Sequence, residues 1–174
     1  MGGCVARLDS RVTVRLARAE DEAGLAHLDA VAWTPASGFP SVMARANDPF
    51  FTFFTDDSPP EAHLVAEVDG RMAGYIRLRP VTSLPESAHV LGIAGLAVAP
   101  GDRRRGVASA LIAAAEQQAR ARGARKLSLR VFGTNAMAAR LYERLGFGVE
   151  GILRDEFFID GWYVDDVLMA KHLT

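Results

Sequence analysis

A chain of 174 residues, 49% hydrophobic and 24% charged, has the size and balance of one soluble globular domain. Its 20 basic against 21 acidic side chains leave a formal net charge of −1, which excludes a generally basic nucleic-acid binder and makes any cationic cluster a local device. Cys4 is the only cysteine, so an internal disulfide and a cysteine metal cluster are excluded, and no apolar run approaches the ~20 residues that cross a bilayer; both features suit a reducing cytoplasm.

Residues 1–10, MGGCVARLDS, lack the basic-then-apolar layout of a secretion signal. Gly2 would permit myristoylation, but Ala6 stands where that motif takes Ser or Thr. This stretch reads as a loose tail before one domain over residues 11–174. RVTVRLA (11–17) alternates, with Val12, Val14 and Leu16 on one face, and predicts a strand. AEDEAGLAHLDAVAW (19–33) has acids in its first turn and Leu25, Leu28 and Ala32 at helical spacing. Residues 34–60 are broken by proline, glycine and aspartate and predict irregular chain, with a short helix near 41–46. Within them Phe50, Phe51, Phe53 and Phe54 read as core or lid packing, with a smaller claim to wall a substrate pocket.

AHLVAEVDGRMAGYIRLRP (62–80) predicts a hairpin, because Asp69-Gly70 separates two alternating runs. AHVLGIAGLAVAP (88–100) is apolar almost throughout, as a central strand buried on both faces must be. Gly92 and Gly95 within it mark a bulge, a ligand's approach or simple packing relief. A helix follows from about Gly106 to Arg122, with Val107, Leu111, Ile112, Ala115 and Ala119 inward, Glu116, Gln118 and Arg122 outward, and Gly123 as its stop. KLSLRVF (126–132) alternates as a strand; TNAMAARLYERLGF (134–147) is a helix capped by Thr134 or Asn135 and ended by Gly146. Two final strands flank Asp160-Gly161, and Asp165 and Asp166 in the second read as a solvated edge. A strand-helix-strand crossover over residues 89–131 makes one pair of strands parallel in an otherwise antiparallel sheet. His27, His63, His89 and His172 have no ligand spacing, so no metal site is expected.

The chemistry concentrates in GDRRRGVASA (101–110), between the end of the central strand and the start of a helix. A helix start carries unpaired N–H groups and partial positive charge. Gly106 and Ala108 leave the backbone open to a close anion, and Arg103, Arg104 and Arg105 add charge there, so the segment reads as a pyrophosphate site. Gly101 and Gly106 have the spacing of a P-loop, but Val107 and Ala108 stand where that loop needs Lys and Ser or Thr, which excludes nucleotide hydrolysis. No G-x-G-x-x-G follows a strand, which disfavours a dinucleotide fold.

RRRGVA (103–108) resembles the acyl-CoA pyrophosphate loop of the GNAT superfamily of N-acetyltransferases, and LAVAP (96–100) resembles the strand end before it. NAMAARLYERLGF (135–147) is similar to a second signature of that family, and the likeness spans roughly residues 88–173. The resemblance implies an α/β (α+β) GNAT fold: a mixed, mostly antiparallel sheet of about seven strands flanked by helices, with splayed central parallel strands. It implies acetyl-CoA as cofactor and transfer of its acetyl group to a primary amine by direct attack in a ternary complex. Leu96, Ala97 and Val98 would pair through their backbones with the pantetheine arm. Arg103, Arg104, Arg105, Gly106, Val107, Ala108 and Ser109 would surround the pyrophosphate. Asn135 and Ala138 would meet the cofactor arm, and Tyr142 would protonate the leaving thiolate, a reasonable role for a phenol of pKa ~10.

The branch acting on ribosomal-protein N-termini carries a Glu five positions before the Asn; here that position is Arg130, which disfavours a protein N-terminus as acceptor. Glu67, Glu86 and His89 are left as candidate general bases. EGILRDEFFIDGWYVDDVLMAKHL (150–173) resembles the branch that acylates free amino acids and related small amines, including amino-acid-like herbicides and sulfoximines. Dimers are common in the family, so a homodimer is implied. The competing readings are a non-catalytic acyl-CoA sensor, against which Tyr142 argues, a protein or peptide acetyltransferase, and a nucleic-acid binder, against which the net charge argues.

Overall fold

Two hairpins and one crossover generate the sheet. A computed structural model describes residues 12–173; the expected tail over residues 1–10 lies outside them. Strand β1 (Val12–Leu16) lines up antiparallel with β2 (His63–Val68). Val12 and Val14 pack on the core as their alternation predicts, whereas Leu16, the last residue of this edge strand, is 46% exposed. Asp69 and Gly70, at φ +52° and +75°, turn β2 into β3 (Arg71–Pro80), the backbone that makes Asp-Gly a hairpin signal. β3 continues antiparallel into β4 (Val90–Val98). At the far side β5 (Lys126–Phe132) pairs with β7 (Trp162–His172), and β6 (Gly148–Ile159) closes the edge through the turn at Asp160 and Gly161. The order is β1-β2-β3-β4-β5-β7-β6.

Helix α1 (Glu22–Ala32) covers one face, burying Leu25, Leu28 and Ala32. It starts three residues after Ala19, where the sequence places the helix, because Asp21 is drawn into a pair with Arg15 and an acceptor role for the Arg18 N–H. A short helix α2 (Pro40–Met43) lies in the irregular stretch, followed by a 3-10 turn. Helices α3 (Val107–Ala121) and α4 (Ala136–Arg144) cover the opposite face. All five residues of the α3 stripe are at most 1% exposed. Glu116, expected outward, is half-buried and binds Lys171 of β7 at 2.6 Å, pinning helix to sheet. β2 shows the two-layer logic in one strand: Leu64, Ala66 and Val68 enter the α3 core and Val65 the α1 core.

Gly74 lets α3 approach. A Cβ there would lie 2.7 Å from the Ala97 carbonyl oxygen and 3.1 Å from Val107 Cγ1, so the strand pair and the first turn of α3 would have to move apart. Gly74→Ala is expected to cost about 1–3 kcal/mol, read from the denaturation midpoint.

His63 is 1% exposed, packed against Phe53 at 5.1 Å between centroids. Its Nδ1 donates to the Pro59 carbonyl at 2.9 Å. Burial pushes its pKa below the usual value, opposed by the Pro59 bond and helped by the charge of Arg77. The unfolded chain therefore binds the proton first. Stability from this site is complete above about pH 6.5 and falls as pH drops toward the depressed folded value. His63→Gln is expected to flatten the melting temperature against pH just below 6.5; an unchanged slope would place the titration elsewhere.

Candidate active site

β4 and β5 run parallel for only three residue pairs, Val90 with Lys126, Leu91 with Leu127 and Gly92 with Ser128. Beyond them β4 keeps its partner β3 and β5 keeps β7, so the two strands part and open a wedge. The cause is local. Arg77 pairs with Gly95 and Leu78 with Ile93, which leaves Ala94 as an extra residue in β4, and such a bulge bends its strand and increases its twist. The Ala99 N–H bonds the Ala73 carbonyl at 2.8 Å. By antiparallel alternation Ala97 turns its peptide groups to β3, while Leu96 and Val98 turn theirs into the wedge. Of the three backbone positions chosen from sequence, two therefore face the opening.

At the foot of the wedge the chain passes through a 3-10 turn (Pro100–Asp102) into α3. Arg104 and Gly106 have φ of +61° and +82°. The first intrahelical bond is Ala110 N–H to the Gly106 carbonyl at 3.0 Å, and no side chain caps the helix. The N–H groups of Val107, Ala108 and Ser109 thus lack intrahelical acceptors and point out of the helix start. The three arginines divide. Arg103 ties the loop to α1, donating to the Ala32 carbonyl at 2.7 Å. Arg105 binds Asp102 at 2.5 Å and approaches Asp69 at 3.7 Å, because Asp102 is 2% exposed and a carboxylate so buried requires a cation. Arg104 alone of the three makes no side-chain hydrogen bond or ion pair among the described residues. Sequence placed three charges on one anion; the fold leaves one free and uses two to shape the loop.

Asn135, not Thr134, caps α4: its Oδ1 accepts from the Ala138 N–H at 3.1 Å. Its amide NH2 remains as a donor. Tyr142, seven residues on, is 8% exposed, with its ring 5.6 Å from that of Phe147. Burial pushes its phenol up to about 12. The hydroxyl makes no hydrogen bond among the described residues, and the residue lines a cavity of about 1770 Å³. Every cofactor-binding residue chosen from sequence lines that cavity except Arg105.

The cavity's other end was not foreseen. Asp29 of α1, 7% exposed, accepts at Oδ1 from Tyr75 Oη at 2.5 Å and from Trp33 Nε1 at 2.6 Å. Phe39, Phe132 and Phe157 form a cluster with centroids 4.7–5.6 Å apart. Phe53 packs on Tyr75, and the Phe53 and Phe54 N–H groups bind the Glu22 carboxylate, so this segment is fastened to α1. Phe51 and Phe53 line the cavity, and so does Phe50 although it is 89% exposed; Phe54 does not.

Three expectations are corrected. Asp166 is 1% exposed and binds Arg130 across the β5–β7 pair, so it is no solvated edge. Asp165 is held by Arg154 at 2.5 Å and by the Asp155 N–H. None of Glu67, Glu86 and His89 lines the cavity: Glu67 pairs with Arg15 at 2.8 Å, and the other two are exposed ahead of β4. The i, i+4 spacing of Asp29 and Trp33 was visible in sequence; the contact with Tyr75, 46 residues away, was not.

A strand edge with open peptide groups, leading from unpaired helix-start amides and one free arginine to a buried hydroxyl, fits a ligand with a diphosphate at one end and a chain of amides behind it. The Acetyltransferase (GNAT) family model matches residues 24–147. L-amino acid N-acetyltransferase AaaT of Escherichia coli K12 is 34% identical over 119 residues, 66% of this chain and 70% of that protein. An N-alpha-acetyltransferase of Sulfurisphaera tokodaii is 33% identical over 138 residues, 73% of this chain and 79% of that one. The structure of yncA from Salmonella typhimurium with its cofactor acetyl-CoA superposes with a TM-score of 0.74 at 20% identity, over 95% of each chain. The chain belongs to the acetyltransferase (GNAT) family, acyltransferases whose donor is acetyl-CoA.

Proposed function

We propose that the protein transfers the acetyl group of acetyl-CoA to the amine of a free amino acid or similar small molecule, in the cytoplasm, by direct attack within a ternary complex. One observation carries this reading: a single cavity joins the unpaired amides of α3, the open edge of β4, Tyr142 and the Asp29–Tyr75 wall. Acetyl-CoA supplies the activated thioester. Val107, Ala108 and Ser109 N–H groups, with Arg104, hold its diphosphate. Leu96 and Val98 offer peptide groups to its arm, as does the Asn135 amide. A donor from this strand also suits the oxyanion of the attacked carbonyl.

Tyr142 keeps its proton at Oη at any ordinary pH. A phenol near 12 is a weaker acid than a thiol of ~8.5 by about 3.5 units, or roughly 5 kcal/mol. Its role is therefore a strong hydrogen bond to the sulfur as negative charge develops there, rather than complete proton release. Arg130, locked between Asp166 and Glu156, supports a small acceptor over a protein N-terminus.

The test is coenzyme A thiol release across an amine panel that begins with methionine, phenylalanine and their sulfone and sulfoximine analogues. Saturable release that needs both reactants is expected. Tight acetyl-CoA binding with no amine-dependent release would leave only the sensor reading.

A further inference from the structure

Acetyl transfer to a bare amine needs no cations beside the acceptor, yet the acceptor end of the cavity is walled by them. Tyr75, Arg77 and Arg79 alternate along β3 and so turn to one face. All three line the cavity, and Arg45 joins them from the 3-10 turn after α2. Arg77 is the strand partner of Gly95, beside the bulge that opens the wedge. One of its amino groups donates to the Asp57 carbonyl at 2.9 Å. Its Nε is sealed from solvent and has no hydrogen-bond partner among the described residues. Among the described residues no carboxylate lies within ion-pair distance of Arg45, Arg77 or Arg79. Burial, with the like charges of Arg79 and Arg45, lowers the pKa of Arg77, while Tyr75 and Asp57 raise it.

A guanidinium N–H is satisfied best by a carboxylate, and the part of Arg77 open to one is Nη1, which makes no hydrogen bond among the described residues. Two residues from Arg77 on the same face, Tyr75 leads to the opposite charge. Asp29 Oδ1 is taken up by Tyr75 and Trp33, while its Oδ2 has no hydrogen bond among the described residues. The wall thus presents a carboxylate oxygen of Asp29 and the Nη1 group of Arg77, each without a hydrogen bond among the described residues.

We propose that this wall reads a zwitterion. Arg77, flanked by Arg45 and Arg79, takes the carboxylate of an α-amino acid, and Asp29 takes its ammonium group as it docks, before a proton is lost to solvent and the amine attacks. The acceptor is then an α-amino acid, and both plain amines and polyamines are rejected. The inference rests on the acetyltransferase reading of the same cavity and names the acceptor class within it.

The experiment compares each amino acid with its decarboxylated amine: methionine with methylthiopropylamine, phenylalanine with phenethylamine. The parent protein should prefer the amino acid in kcat/KM by about 100-fold, the discrimination expected when a built ionic contact is left unmade. Arg77→Gln should raise KM for the amino acid about tenfold, leave its kcat within about twofold and leave the decarboxylated amine unchanged, with Arg77→Lys recovering part of the loss. Should Arg77→Gln fail to fold, Arg79→Gln on the same exposed end should show the same selective rise, about threefold. Equal use of acid and amine by the parent, or an equal loss for both in the variant, would overturn the proposal. Calorimetry with N-acetylmethionine against N-acetylmethioninamide separates this from the broader reading. If no amine releases thiol, the acetyltransferase reading falls. Carboxylate-dependent binding that Arg77→Gln abolishes would still support the subsite, and equal binding of acid and amide would end it.

Discussion

Tyr142→Phe lowers kcat by about 10- to 100-fold and leaves acetyl-CoA affinity within about twofold, the size of one lost hydrogen bond to a charge that exists only in the transition state. The ring that packs at 5.6 Å on Phe147 is retained, so the fold of α4 is undisturbed and the change isolates the hydroxyl. The pH profile sharpens the result. With the phenol near 12, Tyr142 does not titrate in the range where such an enzyme is assayed. Parent and variant should therefore share the shape of their kcat-against-pH curves and differ only in height. An alkaline limb present in the parent and absent from the variant would show instead that Tyr142 loses its proton in that range.

Gly106→Glu produces the opposite pattern. It should weaken acetyl-CoA binding by about 100-fold or more, with little direct effect on the chemical step once the cofactor is forced on. Two causes add. At φ +82° any side chain strains the backbone by roughly 1–2 kcal/mol. A carboxylate at the mouth of α3 also repels the diphosphate that the N–H groups of Val107, Ala108 and Ser109 are arranged to meet. Gly106→Ala separates them, since it carries the strain without the charge and should lose only about tenfold. A Cβ at Gly106 has no heavy atom within 4 Å, so neither side chain clashes, and the melting temperature of each variant reads the backbone strain apart from the loss of binding. If Gly106→Glu matched Gly106→Ala, the loop would not be an anion site.

What could be read from the sequence was what local chemistry determines. The stripe from Val107 to Ala119, the two Asp-Gly hairpins and the stops at Gly123 and Gly146 each depend on residues a few positions apart. The loop and its helix start were legible for the same reason, and so was the spacing of Asn135 and Tyr142 along one helix. Partners chosen by tertiary contact were not. Arg105 looked like a phosphate ligand until a buried Asp102 claimed it. Asp166 looked solvated because nothing in its own strand reveals that Arg130 lies beside it on β5. Glu67, Glu86 and His89 were candidates by residue type alone, and the bulge at Ala94 decides which groups reach the wedge. Asp29 and Arg77 were missed because their significance lies in what they fail to meet among the described residues: Asp29 Oδ2 and Arg77 Nη1 make no hydrogen bond there.

The central claim is that unpaired amides at the start of α3 grip a diphosphate and so aim a thioester toward Tyr142. Calorimetric titration of the full chain with acetyl-CoA tests it most directly. A single saturable site with a Kd on the order of 10 μM, abolished in Gly106→Glu and retained in Tyr142→Phe, is the predicted result. No heat at millimolar acetyl-CoA, or binding that Gly106→Glu leaves intact, would contradict it.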